Sequence, residues 1–322
     1  MKNRITLIAL FCAITLASYG GNGVVAYWSF DNDQEGTVID SSKNENHGEG
    51  SFVTYTDGVV GKAAYFDGEN SKIIIPNTPT EIVNLEQGTI SCWFKFENKG
   101  GQVLPVLYLG KATSDSPPHS MILEIGHDRG DPNNRRVYLT TIASSGGVKS
   151  NGQNRSKGNN MHSGNSNSSS YSNKSTMRKG NYSSSNYSNK TSMRNSSNYN
   201  AQSMSRTNSK SSSSGKGKNF CVDSRTNLSE NEWYHYVAVV SQEGNTVYIN
   251  GKELKDRRYN LGSDSSYTTF FNDVPTKELL SIGYGKYSQE DPFYSFNGYI
   301  DEVMIFDKPL SKKEIEKLYN VK

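Results

Sequence analysis

The stretch Glu232–Lys252, EWYHYVAVVSQEGNTVYINGK, decides how the chain folds. Its first half alternates with a period of two: Trp233, His235, Val237 and Val239 fall on one face, and Tyr234, Tyr236, Ala238 and Val240 on the other. Gln242 to Asn245 supplies a Gly-containing turn, and Thr246 to Ile249 returns as a second strand that ends at Asn250-Gly251. Both residues of an Asn-Gly pair tolerate positive φ, so the pair signals a tight hairpin turn. Apolar and aromatic residues on both faces imply a strand pair in the interior of a packed sheet.

The same reading extends outward in both directions. Val24–Phe30, Lys62–Phe66, Lys72–Ile75, Thr89–Phe96, Val103–Leu109, Met121–Ile125 and Val137–Ile142 precede the hairpin as short strand-like runs separated by turn residues. Phe220–Asp223 lies just before it, and Leu279–Gly283 and Gly298–Phe306 follow. Ser311–Tyr319 alone reads as a helix, with Ser311 as N-cap, Glu314 three residues on as its capping-box partner, and Ile315 and Leu318 on one face. Many short strands with almost no helix predict an all-β sandwich or jelly roll with a short C-terminal helix.

Two segments stand apart from this body. Residues 1–20 read as a secretory signal: Lys2 and Arg4 precede the apolar run Ile5–Leu16, which is too short to span a bilayer, and Thr15-Leu16-Ala17 approximates a cleavage site. Cys12 raises a lipoprotein alternative, opposed by bulky Leu10 and Phe11 before it. No later run is long enough for a membrane helix, so the mature protein is expected to be exported, either secreted or at the cell surface (periplasmic in a Gram-negative host). The second segment, 145–218, interrupts the domain 21–322. It holds 12 Lys and Arg and no Asp or Glu, so the rest of the chain has 23 basic against 32 acidic residues, a net charge of −9. Without Lys2 and Arg4 that body carries −11. Its Ser, Asn and Gly with almost no aliphatic residues predict a long disordered insertion. A weak 16-residue repeat, YSNKSTMR at 171–178 and YSNKTSMR at 187–194, fits expansion of a tolerant loop.

Several segments resemble the laminin-G-like, concanavalin A-like lectin/glucanase jelly-roll family, a relative of the pentraxins. They are VAYWSFD (25–31), DSSKNENHG (40–48), GKAAYFDG (61–68), GTISCWFKF (88–96), EWYHYVAVV with VYINGK (232–252), and FNGYIDEVMIFDKPLSKKEIEKLY (296–319). The basic insertion departs from the family pattern. The resemblance implies a concanavalin A-like jelly-roll sandwich of two face-packed antiparallel sheets, extracellular location and binding rather than catalysis, and it leaves the ligand open.

Catalytic patterns are absent from the sequence. Related β-glucan-cleaving jelly rolls carry Glu-x-Asp-x-x-Glu on one strand, which sets two carboxylates on one face. Here the nearest pair, Asp301-Glu302, is adjacent and expected on opposite faces. Nucleophile-elbow, zincin and Cys-x-x-Cys motifs are also missing. His47 and His235 read as loop-organising and core histidines, without partners at zinc spacing. Calcium is the more plausible metal, by analogy with pentraxin-type sites: Gln289, Glu290 and Asp291 in the loop 283–296, with Asp115 from the loop after VLYLG, the alternative being a solvated acidic loop without metal. Tyr284, Tyr287, Phe293 and Tyr294 flank that loop as candidate sugar-stacking residues. Cys92 and Cys221, the pair left after signal removal, are a candidate disulfide in an oxidising compartment, the alternative being two buried thiols.

The expected partner is therefore an extracellular glycan or glycoprotein. The alternative is an adhesion module whose basic insertion contacts a polyanion, without specific nucleic-acid recognition because its charge is diffuse. A polysaccharide hydrolase or lyase is the least supported reading.

Overall fold

The computed structural model describes residues 23–34, 36–97, 103–112, 119–128, 131–143, 218–286 and 292–321. Residues 1–22 and 144–217 lie outside them. The strands are, in chain order, β1 (Val24–Trp28), β2 (Thr37–Val38), β3 (Gly48–Ser51), β4 (Thr54–Asp57), β5 (Lys62–Asp67), β6 (Lys72–Ile75), β7 (Gly88–Phe96), β8 (Leu104–Gly110), β9 (Ser120–Asp128) and β10 (Asp131–Ile142). They continue with β11 (Phe220–Asp223), β12 (Tyr234–Ser241), β13 (Gly244–Ile249), β14 (Lys252–Glu253), β15 (Arg258–Asn260), β16 (Leu279–Ile282), β17 (Tyr284–Gly285), β18 (Tyr294–Ser295) and β19 (Asn297–Phe306). Helices α1 (Thr80–Val83) and α2 (Lys312–Tyr319) and a 3-10 turn at Phe271–Asp273 complete the set.

The strands form two large antiparallel sheets. An eight-stranded sheet runs β14-β13-β12-β7-β19-β5-β4, with β1 also paired to β19. A nine-stranded sheet runs β15-β11-β10-β9-β8-β16-β6-β3-β2. Alternation assigns the faces. Ile90, Cys92, Phe94 and Phe96 of β7 and Tyr236, Ala238 and Val240 of β12 share one buried core with Leu123, Ile125, Val137, Leu139, Phe220 and Val222 of the other sheet. The jelly-roll sandwich is as expected.

The double-sided burial of β12 has its reason in a second core. Val237 and Val239 point away from the sandwich and pack with Tyr248, Met304 and Phe306 against Leu310, Ile315 and Leu318. Those last residues come from α2 and its approach, and the helix starts with the expected capping box between Ser311 and Glu314. The Asn-Gly turn also forms: Asn250 and Gly251 take φ of 51° and 72°, and Ile249 faces Lys252 across β13 and β14.

The observed fold differs from the sequence reading in several places. The β12–β13 turn is shorter than expected, because Ser241 pairs with Gly244. β3 and β4 (GEGS and TYTD) lack an apolar pattern and are held as strands by pairing with β6 and β5. Helix α1 is a single turn whose Ile82 and Val83 are buried. Asp301 and Glu302 do not simply alternate. Glu302 takes φ of 51° at a bulge where β19 shifts register against β7, and both carboxylates are buried.

The cysteines correct a further expectation. Both are free, buried thiols, and the Cys92–Cys221 disulfide is not formed. Period-two alternation is the reason. Cys92 faces the core between the sheets, whereas Cys221, between core residues Phe220 and Val222, faces the other side of the nine-stranded sheet. There it accepts from Thr140 Oγ1 at 3.4 Å and Asn260 Nδ2 at 3.7 Å. Burial pushes the Cys92 thiol up to about 12 and the Cys221 thiol up to about 11.

Candidate functional site

The side chains that face outward from the nine-stranded sheet are not the ordinary solvated set. With Leu123, Ile125, Val137, Leu139 and Val222 turned to the core, alternation turns Glu124, Arg136, Tyr138 and Asp223 outward. Cross-strand register then gathers them: Tyr138 lies opposite Glu124 on one side and Asp223 on the other, and Asp223 lies opposite Arg258. Gly126 faces Arg136, and a Cβ there would meet the Tyr138 ring at 3.1 Å, so glycine leaves room for that ring.

Two arginines and two aspartates from β9, β10, β11 and β15 close into a ring. Arg136 contacts Asp128 at 2.9 Å and Asp223 at 3.2 Å, and Arg258 contacts the same two carboxylates at 3.0 and 2.6 Å. The Asp223 side chain is fully buried, and its second oxygen accepts from the Arg225 amide at 2.7 Å. The Arg258 side chain keeps 31 % of its surface exposed. Tyr138 donates to the His127 carbonyl at 3.1 Å. Its phenol is held far above the ordinary range, first by burial and then by the Asp223 and Asp128 charges. His127, next to the ring, is held down to about 4 by burial and by the Arg135 charge. The ring balances two positive against two negative charges, so it offers fixed donors and acceptors with little net field.

Further across the same face, β17 and β18 form a small hairpin beside β8. Gly283 sends the chain into it with φ of 68°, and the Phe66 ring occupies the space where a Cβ would sit. Tyr284 and Phe293 stack with ring centroids 4.9 Å apart and planes at 12°, and Phe293 meets Tyr108 edge-on at 5.9 Å. Lys72 Nζ lies 5.3 Å over the Tyr284 ring and Lys286 Nζ 5.5 Å over the Phe293 ring. The structure thus brings Tyr284 and Phe293 together as a stacked pair in which each ring covers one face of the other. Tyr294 sits opposite Gly285 in β18. Tyr287, Gln289, Glu290, Asp291 and Asp115 lie outside the described residues. Among the described residues no group of three or more His, Cys, Asp or Glu is placed to hold a metal ion, and no helix is long and apolar enough to cross a membrane.

The other singled-out residues have structural partners. His235 is buried, 2.9 Å from Ser91 Oγ through Nε2, and stacked on Trp93 at 4.9 Å. His47 Nδ1 accepts from the Asp40 amide at 3.2 Å within the 40–48 loop. Asp301 Oδ2 accepts from the amides of Val59 and Val60 at 2.7 and 3.2 Å, and Glu302 from the Tyr27 hydroxyl at 2.9 Å. Burial pushes both carboxyls well above the ordinary carboxylate range.

Sequence reasoning missed the Arg–Asp ring because its members are distributed over four strands between 128 and 258. The legible signal was the polar alternation Arg136-x-Tyr138-x-Thr140 within β10.

Residues 165–316 match the family model described as the concanavalin A-like lectin/glucanases superfamily. A comparison with curated proteins finds no match. Among solved structures, the chain resembles domain 4 of an extracellular arabinanase from Geobacillus stearothermophilus, solved with arabinotriose. The TM-score is 0.50 at 16 % identity, covering 92 % of this chain and 98 % of that one. It also resembles the binding domain of Paraclostridial Mosquitocidal Protein 1 (TM-score 0.50, 14 % identity, 92 % of this chain and 52 % of that one). A third likeness is to a botulinum neurotoxin type C structure described by its dependence on two ganglioside molecules (TM-score 0.51, 11 % identity, 94 % and 52 %). The chain thus spans about half the length of the two toxin chains. At these identities the likeness establishes the fold. The family that the sequence motifs resemble and the family whose model matches residues 165–316 are the same, the concanavalin A-like lectin/glucanases superfamily.

Proposed function

We propose that this chain is an extracellular, non-catalytic binding module that takes a glycan on the outward face of the nine-stranded sheet. The observation that carries the reading is the charge-balanced ring of Arg136, Asp128, Arg258 and Asp223 beside Tyr138. Sugar hydroxyls each donate and accept, and a rigid array that does both matches them without requiring a charged ligand. The arabinotriose complex of the arabinanase domain and the ganglioside dependence of the neurotoxin support the assignment of glycan as ligand class. Calcium bound by Asp115, Gln289, Glu290 and Asp291 is part of the proposal, and its test is a rise in melting temperature with millimolar calcium that a chelator reverses.

The experiment is a glycan array on the mature protein, followed by titration of the best hits against Arg258→Gln and Tyr138→Phe. Loss of binding in both variants, each still folded and unfolding cooperatively, supports the site. An array with no hits, or hits indifferent to both changes, overturns it. The charge asymmetry of +12 in residues 145–218 against −9 elsewhere favours a second reading, an adhesion module that grips a polyanion. Binding that falls steeply with salt and disappears on deleting 145–218 would support that reading instead.

A further inference from the structure

The opposite side of the sandwich carries an aromatic row that neither the core nor the proposed site uses. On the outer face of the eight-stranded sheet, α2 covers Val237, Val239, Met304 and Phe306, and Tyr319 reaches as far as Trp93 and His235. The next cross-strand row is beyond the helix. Register places Thr54 opposite Tyr65, Tyr65 opposite Tyr299, and Tyr299 opposite Lys95, with Trp233 closing the row just before β12. All five side chains reach solvent to some degree. The Tyr65 and Tyr299 rings are 5.0 Å apart and those of Tyr299 and Trp233 6.2 Å apart, tilted by 51° and 54°.

Cross-strand aromatic pairing by itself stabilises a sheet and needs no ligand. The polar groups of the row indicate more. Lys95 Nζ lies 4.1 Å over the Tyr299 ring and 5.2 Å over the Trp233 ring, and no carboxylate among the described residues pairs with it. Glu97 is two residues on from Lys95, just past the end of β7, and its charge acts on both the Tyr65 and Tyr299 phenols. Asp67 is already engaged, accepting from the amides of Glu69, Asn70 and Ser71. The row therefore joins three apolar ring surfaces to one cation, one anion and several hydroxyls, with no net charge. That combination is complementary to a neutral chain of sugar rings, whose C–H faces stack on aromatics and whose hydroxyls meet donors and acceptors.

We propose that Trp233, Tyr299 and Tyr65, with Lys95 across them, form a second carbohydrate-binding surface that takes a neutral polysaccharide along the row, across the strands. It is on the sheet opposite the Arg–Asp ring, so the two surfaces are independent.

Intrinsic fluorescence reads this surface directly. Of the three tryptophans, Trp28 and Trp93 are at most 1 % exposed, so Trp233 is the one a quencher reaches. Arabinan, laminarin, xylan and cellulose oligomers are the probes, used on the full mature chain and on Arg258→Gln. At least one is expected to protect Trp233 from acrylamide and to bind Tyr299→Ala and Tyr65→Ala about tenfold more weakly, as loss of one stacked aromatic predicts. Retention of that protection in Arg258→Gln separates this surface from the first. No protection by any neutral probe overturns the proposal, as does protection by acidic polymers alone. Unchanged affinity in Tyr299→Ala and Tyr65→Ala, or burial of Trp233 by self-association in light scattering, does the same.

Discussion

Replacing Asp223 by Ala tests whether the Arg–Asp ring is a coupled unit or four surface charges that happen to meet. The Asp223 side chain has no exposed surface and faces Arg136 at 3.2 Å and Arg258 at 2.6 Å, while its other oxygen caps the Arg225 amide. Deleting one partner of a buried ion pair costs about 3–5 kcal/mol, because the remaining charge stays desolvated. Both arginines keep Asp128, and Arg258 keeps some solvent, so the low end applies, about 3 kcal/mol. The lost amide hydrogen bond adds about 1 kcal/mol. A total near 4 kcal/mol lowers the melting temperature by about 8–16 °C for a domain of this size. Asp223→Asn keeps an acceptor for Arg225 and is expected to lose about 3 kcal/mol, the ionic part alone. The assay is denaturant and thermal unfolding of Asp223→Ala, Arg258→Leu and the double variant. The double variant is expected to be clearly less destabilised than the sum of the singles, since it removes an uncompensated guanidinium. A cost below about 1 kcal/mol for Asp223→Ala, or strict additivity, refutes the reasoning.

Other residues give independent checks. Asp301 holds a proton well above the ordinary carboxylate range, whereas the unfolded chain releases it near 3.8. Stability should therefore fall as pH rises from that value toward the raised one, by about 1.4 kcal/mol per pH unit for each proton held. His127 acts in the opposite sense, losing stability as pH drops from 6.5 toward about 4, so melting curves between pH 6.5 and 8.5 isolate the carboxyls. Asp301→Asn, which keeps an acceptor for Val59 and Val60, should flatten that slope; parallel slopes for the two proteins would rule the mechanism out. Cys92 and Cys221 should resist an aromatic disulfide reagent until denaturant is added, and reductant should leave the melting temperature unchanged. A downward shift with reductant would mean a disulfide exists. Gly283→Ala places a Cβ at 2.1 Å from the Phe66 ring at φ of 68°, and should cost at least about 1 kcal/mol from backbone strain alone, read as a lower unfolding midpoint. A midpoint equal to wild type would show that the hairpin entrance rearranges freely.

The sequence by itself determined the elements that local chemistry dictates. Alternation divided β7 and β12 into their two faces, Asn250-Gly251 fixed a turn that only positive φ permits, and Ser311 with Glu314 fixed where α2 begins. The family motifs lie in these same elements, so the fold was legible. Alternation also marked His235 as a packed residue. Tertiary structure alone decided the rest. β3 and β4 have no apolar pattern, and only hydrogen bonding to β6 and β5 makes them strands. A bulge, which nothing in the ten-residue sequence of β19 announces, turned Glu302 to φ of 51° and buried it beside Asp301. Cys92 and Cys221 looked like a pair because a sequence gives no side to a sheet; once register is set they face opposite ways. The Arg–Asp ring and the Trp233–Tyr299–Tyr65 row have the same origin. Each is a contact between strands far apart in sequence, and its geometry exists only after the order and register of the sheets have been fixed.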